Sequence, residues 1–351
     1  MKNMEYVENY NEQEKIRQEQ KFSEELDKKQ NLIEEKQNKN IELSKDELTF
    51  IYHNFGNSSC RNIISKRNKR KDLVSIWGVK EDEVALSRKE WIENIGKIKV
   101  FYGNLDLNCL TCVEGFKMPE IIYGNLDLNY LRSANGLDLS KRKIYGNVNL
   151  KFLEKGEGAN LSEAEISGRL DLSYLQDANG LNLHETKIYN GLCCFWLENG
   201  EGLDLSDTVI REFIDLRNLT NAKGLKLPKF IDYLYLNRLE NAEGLMLPLS
   251  AKYINLSSLT SAEGLRFPLS VEKIDLYGLE STEGLKVPAY IVQHLNRPKG
   301  IPLTCVKSDK LELLKEIKGI LMEYGEECFR KMGISCDEID EAINILENRK
   351  I

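Results

Sequence analysis

Apolar and polar residues alternate in short triplets that return along the chain at a step of 11 residues. Leu126-Asp127-Leu128 and Leu137-Asp138-Leu139 begin the series, and six further copies follow as far as Leu203-Asp204-Leu205. Alternation with a period of two is typical of a short β-strand with one buried face. One triplet is too short to bury that face, but triplets stacked in parallel ladders about 4.8 Å apart bury it continuously. The pattern therefore predicts a parallel β-solenoid.

A glycine before every second triplet gives the repeat a longer period. The anchor glycines are Gly115, Gly136, Gly158, Gly180, Gly202, Gly224, Gly244, Gly264 and Gly284. Their successive spacings are 21, 22, 22, 22, 22, 20, 20 and 20 residues. Glycine adopts the positive φ angles that a tight corner requires, and a fixed period in this range indicates a solenoid. We therefore predict a mainly β protein with about nine coils of 20–22 residues.

The repeat divides the chain into four segments, with the solenoid at residues 101–300. Residues 1–44 are rich in Glu, Lys, Gln and Asn, which predicts a charged arm that is either a partly helical tail or an oligomer-forming coiled coil. Residues 45–100 contain enough large apolar side chains to form an N-terminal cap over the first coil. Residues 301–351 contain two amphipathic helical patterns, which predict a C-terminal helical cap or else a small effector or dimer module.

Many five-residue units of the repeat resemble the pentapeptide-repeat family, whose unit is Ala-(Asp/Asn)-Leu-x-x. The units that begin at Ala159 (Ala-Asn-Leu-Ser-Glu) and Leu170 (Leu-Asp-Leu-Ser-Tyr) are examples. This resemblance implies a right-handed, four-sided β-helix. Later units, such as the one that begins at Ile254, also resemble bacterial leucine-rich repeats, which implies a horseshoe instead. Both resemblances cover about residues 101–291.

The aromatic residues of successive coils form one candidate binding surface. The aromatic column consists of Tyr130, Phe152, Tyr174 and Trp196. If the leucines of each triplet point inward, this position points outward, where clustered tyrosine and tryptophan favour protein interfaces. The alternative is a column that packs beneath a corner or stacks on itself for stability.

Acidic residues form further columns in the middle of the repeat. The acidic column consists of Glu163, Glu185 and Asp207, with Asp138 and Asp204 beside it. A second series lies in the middle of the first triplet and consists of Asp106, Asp127, Asp171, Asp215 and Asp275. Like charges about 5 Å apart repel, so these columns indicate either simple solubility or attraction of a basic partner. The second series also fits a structural role, because Asp belongs to the pentapeptide unit.

The charge balance supports a basic partner. The 351-residue chain has a net charge of −7. Residues 151–210 contain 11 acidic and 4 basic residues, whereas residues 211–230 contain 2 acidic and 5 basic residues. A surface of one sign attracts a partner of the other, so the middle coils are expected to attract a basic protein.

Composition indicates a cytoplasmic protein, with signal-independent export as the alternative. The chain has no apolar run long enough for a transmembrane helix, and its first residues lack the apolar region of a secretory signal. Eight cysteines at irregular spacings do not form a disulfide framework. We therefore expect neither membrane insertion nor secretion through a signal peptide.

Motifs for catalysis or cofactor binding are absent from the sequence. Cys109 and Cys112 form a lone Cys-x-x-Cys without the second pair or the histidines of a zinc site. His53, His184 and His294 are scattered. The basic run from Arg61 to Lys71 is a weak candidate for nucleic-acid binding, because no aromatic residue interrupts it. We expect no enzyme activity, no metal and no cofactor.

These features predict a non-enzymatic binding protein. Its solenoid would present an acidic, partly aromatic face at residues 127–210 to a basic protein partner. One alternative is an inhibitor of a nucleic-acid-handling enzyme, because some pentapeptide-repeat proteins imitate duplex DNA against gyrase and some anti-defence proteins use acidic surfaces similarly. Another is a structural module that assembles through residues 1–44.

Overall fold

The computed structural model describes residues 27–39, 41–54, 58–261, 265–280 and 295–296. The chain forms two compact units, Met1–Tyr102 and Gly103–Ile351. No helix of the described ranges is both long and apolar enough to cross a bilayer. The predicted C-terminal helical cap at residues 301–351 lies outside the described residues.

The first unit is mainly helical. Its elements are α1 (residues 27–38), α2 (Lys45–His53), α3 (Ser58–Ser65), α4 (Lys69–Trp77), a 3-10 turn (Glu81–Glu83), β1 (Val84–Ala85), α5 (Arg88–Glu93) and β2 (Val100–Tyr102). Ser44 caps α2, because its hydroxyl accepts from the N–H of Glu47 while the Glu47 carboxylate accepts from the N–H of Ser44. Ile33 of α1 is fully buried, and Lys36 pairs with Glu47 at 2.6 Å. The described part of the predicted arm therefore packs on the helical unit.

The second unit is a parallel β-solenoid of about eight turns. Sheet A of this unit contains β4 (Ile121–Tyr123), β6 (Lys143–Ile144), β8 (Glu165–Ile166), β10 (Lys187–Ile188) and β12 (Val209–Ile210). Sheet B contains β3 (Leu105–Asp106), β5 (Leu126–Asp127), β7 (Val148–Asn149), β9 (Leu170–Asp171), β11 (Leu192–Cys193), β13 (Phe213–Asp215), β14 (Phe230–Tyr235), β15 (Ser250–Asn255), β16 (Ser270–Asp275) and β17 (Leu295–Asn296). The predicted β-solenoid is confirmed.

Four parallel ladders connect the 22-residue coils, two of them continuous and two made of separate bridges. Sheets A and B are two of them. A third ladder, which we call ladder C, pairs Lys155 with Asp177. A fourth, ladder D, pairs Asp138 with Asn160 and Asn160 with Asn182. Along one coil the order is sheet B, ladder C, ladder D and sheet A, so the coil has four sides and four corners.

The apolar positions of the triplets form the core between these four sides. In one coil the inward side chains include Leu126 and Leu128 of sheet B, Leu131 before ladder C, Leu139 after ladder D and Ile144 of sheet A. All are at most 1% exposed. Each large apolar side chain contributes about 1.5–3 kcal/mol when it is fully buried. The step of 11 residues in the sequence is therefore half a coil, and the coil itself is the 22-residue unit.

The later coils are shorter because one residue is lost at each corner beside sheet A. Leu205 and Ile210 are five positions apart, but the matching Leu227 and Ile231 are four apart. The next corner shortens in the same way, and its two strands merge into the six-residue strand β14. Sheet A consequently ends at β12 within the described residues, while sheet B continues.

Candidate functional site

The aromatic column lies along the corner between sheet B and ladder C, and we call it the aromatic corner. The ring centroids of Tyr130 and Phe152 are 5.6 Å apart, with an interplanar angle of 16°. Phe152 and Tyr174 follow at 4.9 Å, and Tyr174 and Trp196 at 6.2 Å. The inward side chains on both sides of this corner belong to the core, which leaves the ring position outside. The four predicted aromatic residues thus form one continuous stack.

This stack is open to solvent. Tyr130 is 54% exposed, Tyr174 36% and Trp196 45%. The Lys151 ammonium lies 5.7 Å from the ring centre of Phe152 and 5.9 Å from that of Tyr174. The Lys151 ammonium therefore lies over two neighbouring rings of the stack. Such a strip offers apolar contact together with a cationic group.

The aromatic corner ends where the 22-residue coils end. The next position of the column is Asn218, which is buried. Its side-chain amide donates to the carbonyl oxygen of Phe195 at 2.8 Å. The stack is therefore bounded by a side chain whose polar group is already bonded.

The acidic column lies along the corner between ladder D and sheet A, and we call it the acidic corner. Glu163 and Glu185 have φ angles of 58° and 54°, and Lys141 at the same position has 59°. Positive φ is unfavourable for these residue types. Strained residues are common at functional sites. The conformation is a property of the corner that the sequence pattern does not reveal, since glycine is missing there.

Lys141 and His184 contact the carboxylates of the acidic corner, and the Lys141 charge balances part of theirs. The Lys141 ammonium lies 3.4 Å from Glu163. His184 Nδ1 lies 3.4 Å from Asp207 and its Nε2 lies 3.7 Å from Glu185. The corner is therefore less acidic than a count of its carboxylates indicates.

Asp204 is also paired with a cation. Burial disfavours its ionised form, but Lys226 at 2.6 Å and the Ser206 hydroxyl outweigh burial and lower the pKa of Asp204. Asp138 likewise accepts from the Ser140 hydroxyl. Both aspartates belong to ladder D, next to the acidic corner.

The aromatic and acidic corners do not form a single face. The chain passes from the aromatic corner through ladder C, a glycine corner and ladder D before it reaches the acidic corner. In a four-sided coil the two corners are therefore diagonally opposite. Tyr174 and Glu185, 11 residues apart, are separated by half a turn. A flat partner surface cannot contact both.

The aspartates in the middle of the first triplet have a structural role. Asp127 accepts from the backbone N–H of Asn129 at 3.0 Å, and Asp171 accepts from that of Ser173 at 3.0 Å. Asn149 accepts from Lys151 in the same way. These bonds satisfy a donor at each corner, so Asp and Asn are interchangeable at this position.

The other candidate groups are the basic run, the cysteine pair and the scattered histidines. In the basic run, Arg67 is bonded to Asp72 at 2.6 Å and Arg70 to Glu90 at 2.7 Å. The thiols of Cys109 and Cys112 are both exposed. Within the described ranges no group of three or more His, Cys, Asp or Glu side chains is arranged to hold a metal ion. His294 lies outside the described residues.

A groove of about 760 Å³, which the sequence analysis missed, opens where sheet A ends. Its walls include His184 and Asp207 of the acidic corner and Phe230 of β14. The sequence feature that could have predicted this groove is the fall in glycine spacing from 22 to 20 residues. Shorter coils cannot continue all four ladders, so one ladder must end where the spacing falls.

Equivalent residues of successive coils are paired with each other throughout the early part of sheet B. Sheet B pairs Leu126 with Val148 and Val148 with Leu170, always in register. Beyond the chain itself, no known family model, curated protein or solved structure matches this protein.

Proposed function

We propose that this chain is a non-enzymatic binding protein that presents the aromatic corner to a protein partner. The observation that carries this proposal is the exposed stack from Tyr130 to Trp196. Exposed tyrosine and tryptophan rings supply much of the binding energy in protein interfaces. Lys151 beside the stack adds a charge that favours an acidic or aromatic group of the partner.

The acidic corner supports a second part of the proposal, the attraction of a partner with a basic surface. Residues 151–210 carry a net charge of −7. This field acts over the Debye length of about 10 Å and does not require direct contact. Glutamates in strained positions, such as Glu163 and Glu185, are consistent with selection for charge over stability.

We infer that the repeat is nearer to the pentapeptide-repeat type than to the leucine-rich type, because four ladders occur among the early coils. The nucleic-acid mimic that this resemblance implies is less well supported. On sheet A the carboxylate of Glu165 lies between Lys143 and Lys187, at 3.3 and 3.0 Å. Alternating charges do not resemble a row of phosphates.

The test is affinity capture from host lysate with the full chain, quantified by mass spectrometry. One variant combines Tyr174→Ala and Trp196→Ala, and the matched control is Tyr233→Ala, an exposed tyrosine of sheet B outside the aromatic corner. We expect a defined protein to be lost with the double variant and kept with the control. Captured proteins that are identical for all three chains would refute the aromatic corner as the interface.

Electrostatic attraction by the acidic corner is tested separately, with the partner protein that the affinity capture identifies. Glu163→Gln together with Glu185→Gln should reduce the association rate and its salt dependence, while the dissociation rate stays unchanged. An association rate that is indifferent to salt between about 50 and 500 mM would remove this part of the proposal.

A further inference from the structure

A second group of aromatic side chains lies on the outer side of sheet B, in the later coils. Phe213, Tyr233 and Tyr253 are register partners in successive strands, and Tyr235 lies two residues after Tyr233. The residue that follows each of the three partners is fully buried, so the rings themselves are directed outward. The ring of Tyr235 meets that of Tyr253 edge to face, with centroids 5.9 Å apart. We call these four residues the ring platform.

Phe213 lies flat on sheet B because the preceding coil has a glycine at the matching position. A Cβ added to Gly191 would lie 2.7, 2.7 and 2.9 Å from Cε1, Cδ1 and Cγ of the Phe213 ring. Nearly equal distances to three consecutive ring atoms place this point above the face of the ring and not beside its edge. One face of the ring therefore covers Gly191, which is buried, and the other is directed away from the backbone of the sheet.

The outer rings of the platform lean in opposite directions along the solenoid. Phe213 lies back over the preceding coil, whereas the hydroxyl of Tyr253 donates to Asp275 of the following coil. Tyr233 lies between them and is 40% exposed. The Lys273 ammonium lies 5.2 Å from the ring centre of Tyr253. Phe213 and Tyr233 therefore present the more accessible ring faces.

Ion pairs lie on both sides of the ring platform, and we call them the flanking ion pairs. On one side Arg217 donates to both carboxylate oxygens of Asp215, at 2.9 and 2.7 Å. On the other side Lys252 donates to Asp232 at 2.7 Å. Arg217, Lys252 and Asp232 keep at least 38% of their side chains exposed. The flanking ion pairs thus offer hydrogen-bond donors and acceptors without a net charge.

Aromatic rings between neutral ion pairs fit the chemistry of a carbohydrate. One side of a pyranose ring consists of C–H groups, which pack against the negatively polarised face of an aromatic ring. Sugar hydroxyl groups both donate and accept hydrogen bonds, and they therefore complement an ion pair that offers both. A nucleic acid is bound mainly by cations that neutralise its phosphates, and the flanking cations are already paired.

We propose that the ring platform binds a neutral oligosaccharide chain that lies along the column from Phe213 to Tyr253. Successive sugar rings pack on Phe213 and Tyr233, and their hydroxyl groups bond to the flanking ion pairs. The step between coils of about 4.8 Å is close to the length of one pyranose unit in an extended chain. The proposal does not depend on the aromatic corner.

The probes are soluble hexasaccharides, and their binding to the full chain is measured by isothermal titration calorimetry. The neutral probes are cellohexaose, mannohexaose, xylohexaose and maltohexaose, and the acidic probe is hexagalacturonate. We expect at least one neutral chain to bind with a Kd below about 1 mM and hexagalacturonate to bind more weakly. Absence of binding by every neutral chain would overturn the proposal. Tighter binding of hexagalacturonate than of any neutral chain would overturn the neutral class of ligand.

Two substitutions of the middle ring test where the sugar binds. Tyr233→Ala should weaken binding of the neutral chain about tenfold, because a ring face is lost. Tyr233→Phe keeps the ring and should bind as the parent chain does. The matched control is Tyr130→Ala, which removes an exposed tyrosine of the aromatic corner and should leave the affinity unchanged. Equal affinities of Tyr233→Ala and the parent chain, with circular dichroism showing both folded, would overturn the ring platform as the site.

The ring platform and the aromatic corner are tested independently of each other. The double variant of Tyr174 and Trp196 should bind the oligosaccharide normally, and Tyr233→Ala should keep the protein partner of the aromatic corner. If Tyr233→Ala instead loses a captured protein while the parent chain binds no sugar, the platform serves a protein and the proposal is wrong. A failure of one site is therefore distinguishable from a failure of the other.

Discussion

The side-chain oxygen of Asn125 accepts a hydrogen bond of 2.8 Å from the backbone N–H of Asn147, one coil further along. The N–H of Asn125 in turn donates to the side chain of Asn104 at 2.9 Å. The backbone N–H of Arg169 donates to the side-chain oxygen of Asn147 at 2.8 Å. These bonds satisfy the main chain where it turns from sheet A to sheet B.

Removing one side chain from this series should destabilise the solenoid. We expect Asn125→Ala to lower the free energy of unfolding by about 1 kcal/mol, because the N–H of Asn147 loses its partner. The matched control is Asn135→Ala, whose side chain makes no hydrogen bond within the described residues. Urea midpoints measure the difference, and equal midpoints for the two variants would contradict the role of Asn125.

The corner beside this series requires glycine for space. A Cβ added to Gly124 would lie 2.3 Å from the carbonyl oxygen of Gly103, and φ is 155°. Gly115 also has positive φ, at 80°, but a Cβ there meets no atom within 4 Å. Gly124→Ala should therefore cost about 1–3 kcal/mol more than Gly115→Ala. Thermal or urea unfolding of both variants checks this order.

Strain at the acidic corner predicts a substitution that stabilises the protein. Glu163 has a φ of 58°, and Glu163→Gly should raise the free energy of unfolding by about 1 kcal/mol. Glu163→Ala removes the same charge and the ion pair with Lys141 but keeps the strain, so it should not stabilise. If both variants lose partner affinity equally, the charge and not the conformation serves binding.

The charge series on sheet A predicts a dependence of stability on pH. Burial disfavours the ionised form of Glu165, but Lys187 and Lys143 outweigh burial and lower its pKa. Stability from this group is complete above its ordinary pKa and is lost as the pH falls through the lowered folded value. At about pH 7, Glu165→Gln should lower the free energy of unfolding. In acid, the free energies of unfolding of the variant and the parent chain should converge. The matched control is Glu157→Gln, because Glu157 forms no ion pair with a described residue. This variant should not change the free energy of unfolding at either pH.

The length of the coil predicts which deletions the solenoid tolerates. Removing residues 153–174 joins Phe152 to Leu175 and takes out one complete coil, which leaves every ladder in register. Removing residues 153–163 takes out half a coil and preserves the triplet pattern in sequence, but it stacks glycine corners on non-glycine corners. Circular dichroism and protease resistance should show the first chain folded and the second not.

Several features of the fold could be predicted because they are local. Alternation within a triplet places Leu126 and Leu128 inside, as observed. Tyr130 is 54% exposed because the turn at residues 129–130 interrupts the alternation. The glycine at position 136 predicts a corner, and its φ of 78° agrees. The structural use of Asp127 follows from its position two residues before a corner N–H.

The sequence by itself determined the period, the inward and outward positions and the chemistry of each column, because these depend on neighbouring residues and on strict repetition. Only the tertiary structure decided that the aromatic and acidic corners are diagonally opposite, that Lys141 and His184 pair with the carboxylates of the acidic corner, and that sheet A ends in a groove. These properties depend on how many sides a coil has and where hydrogen bonds between coils stop. Both are set by closure of the whole coil on its core, which no single triplet encodes.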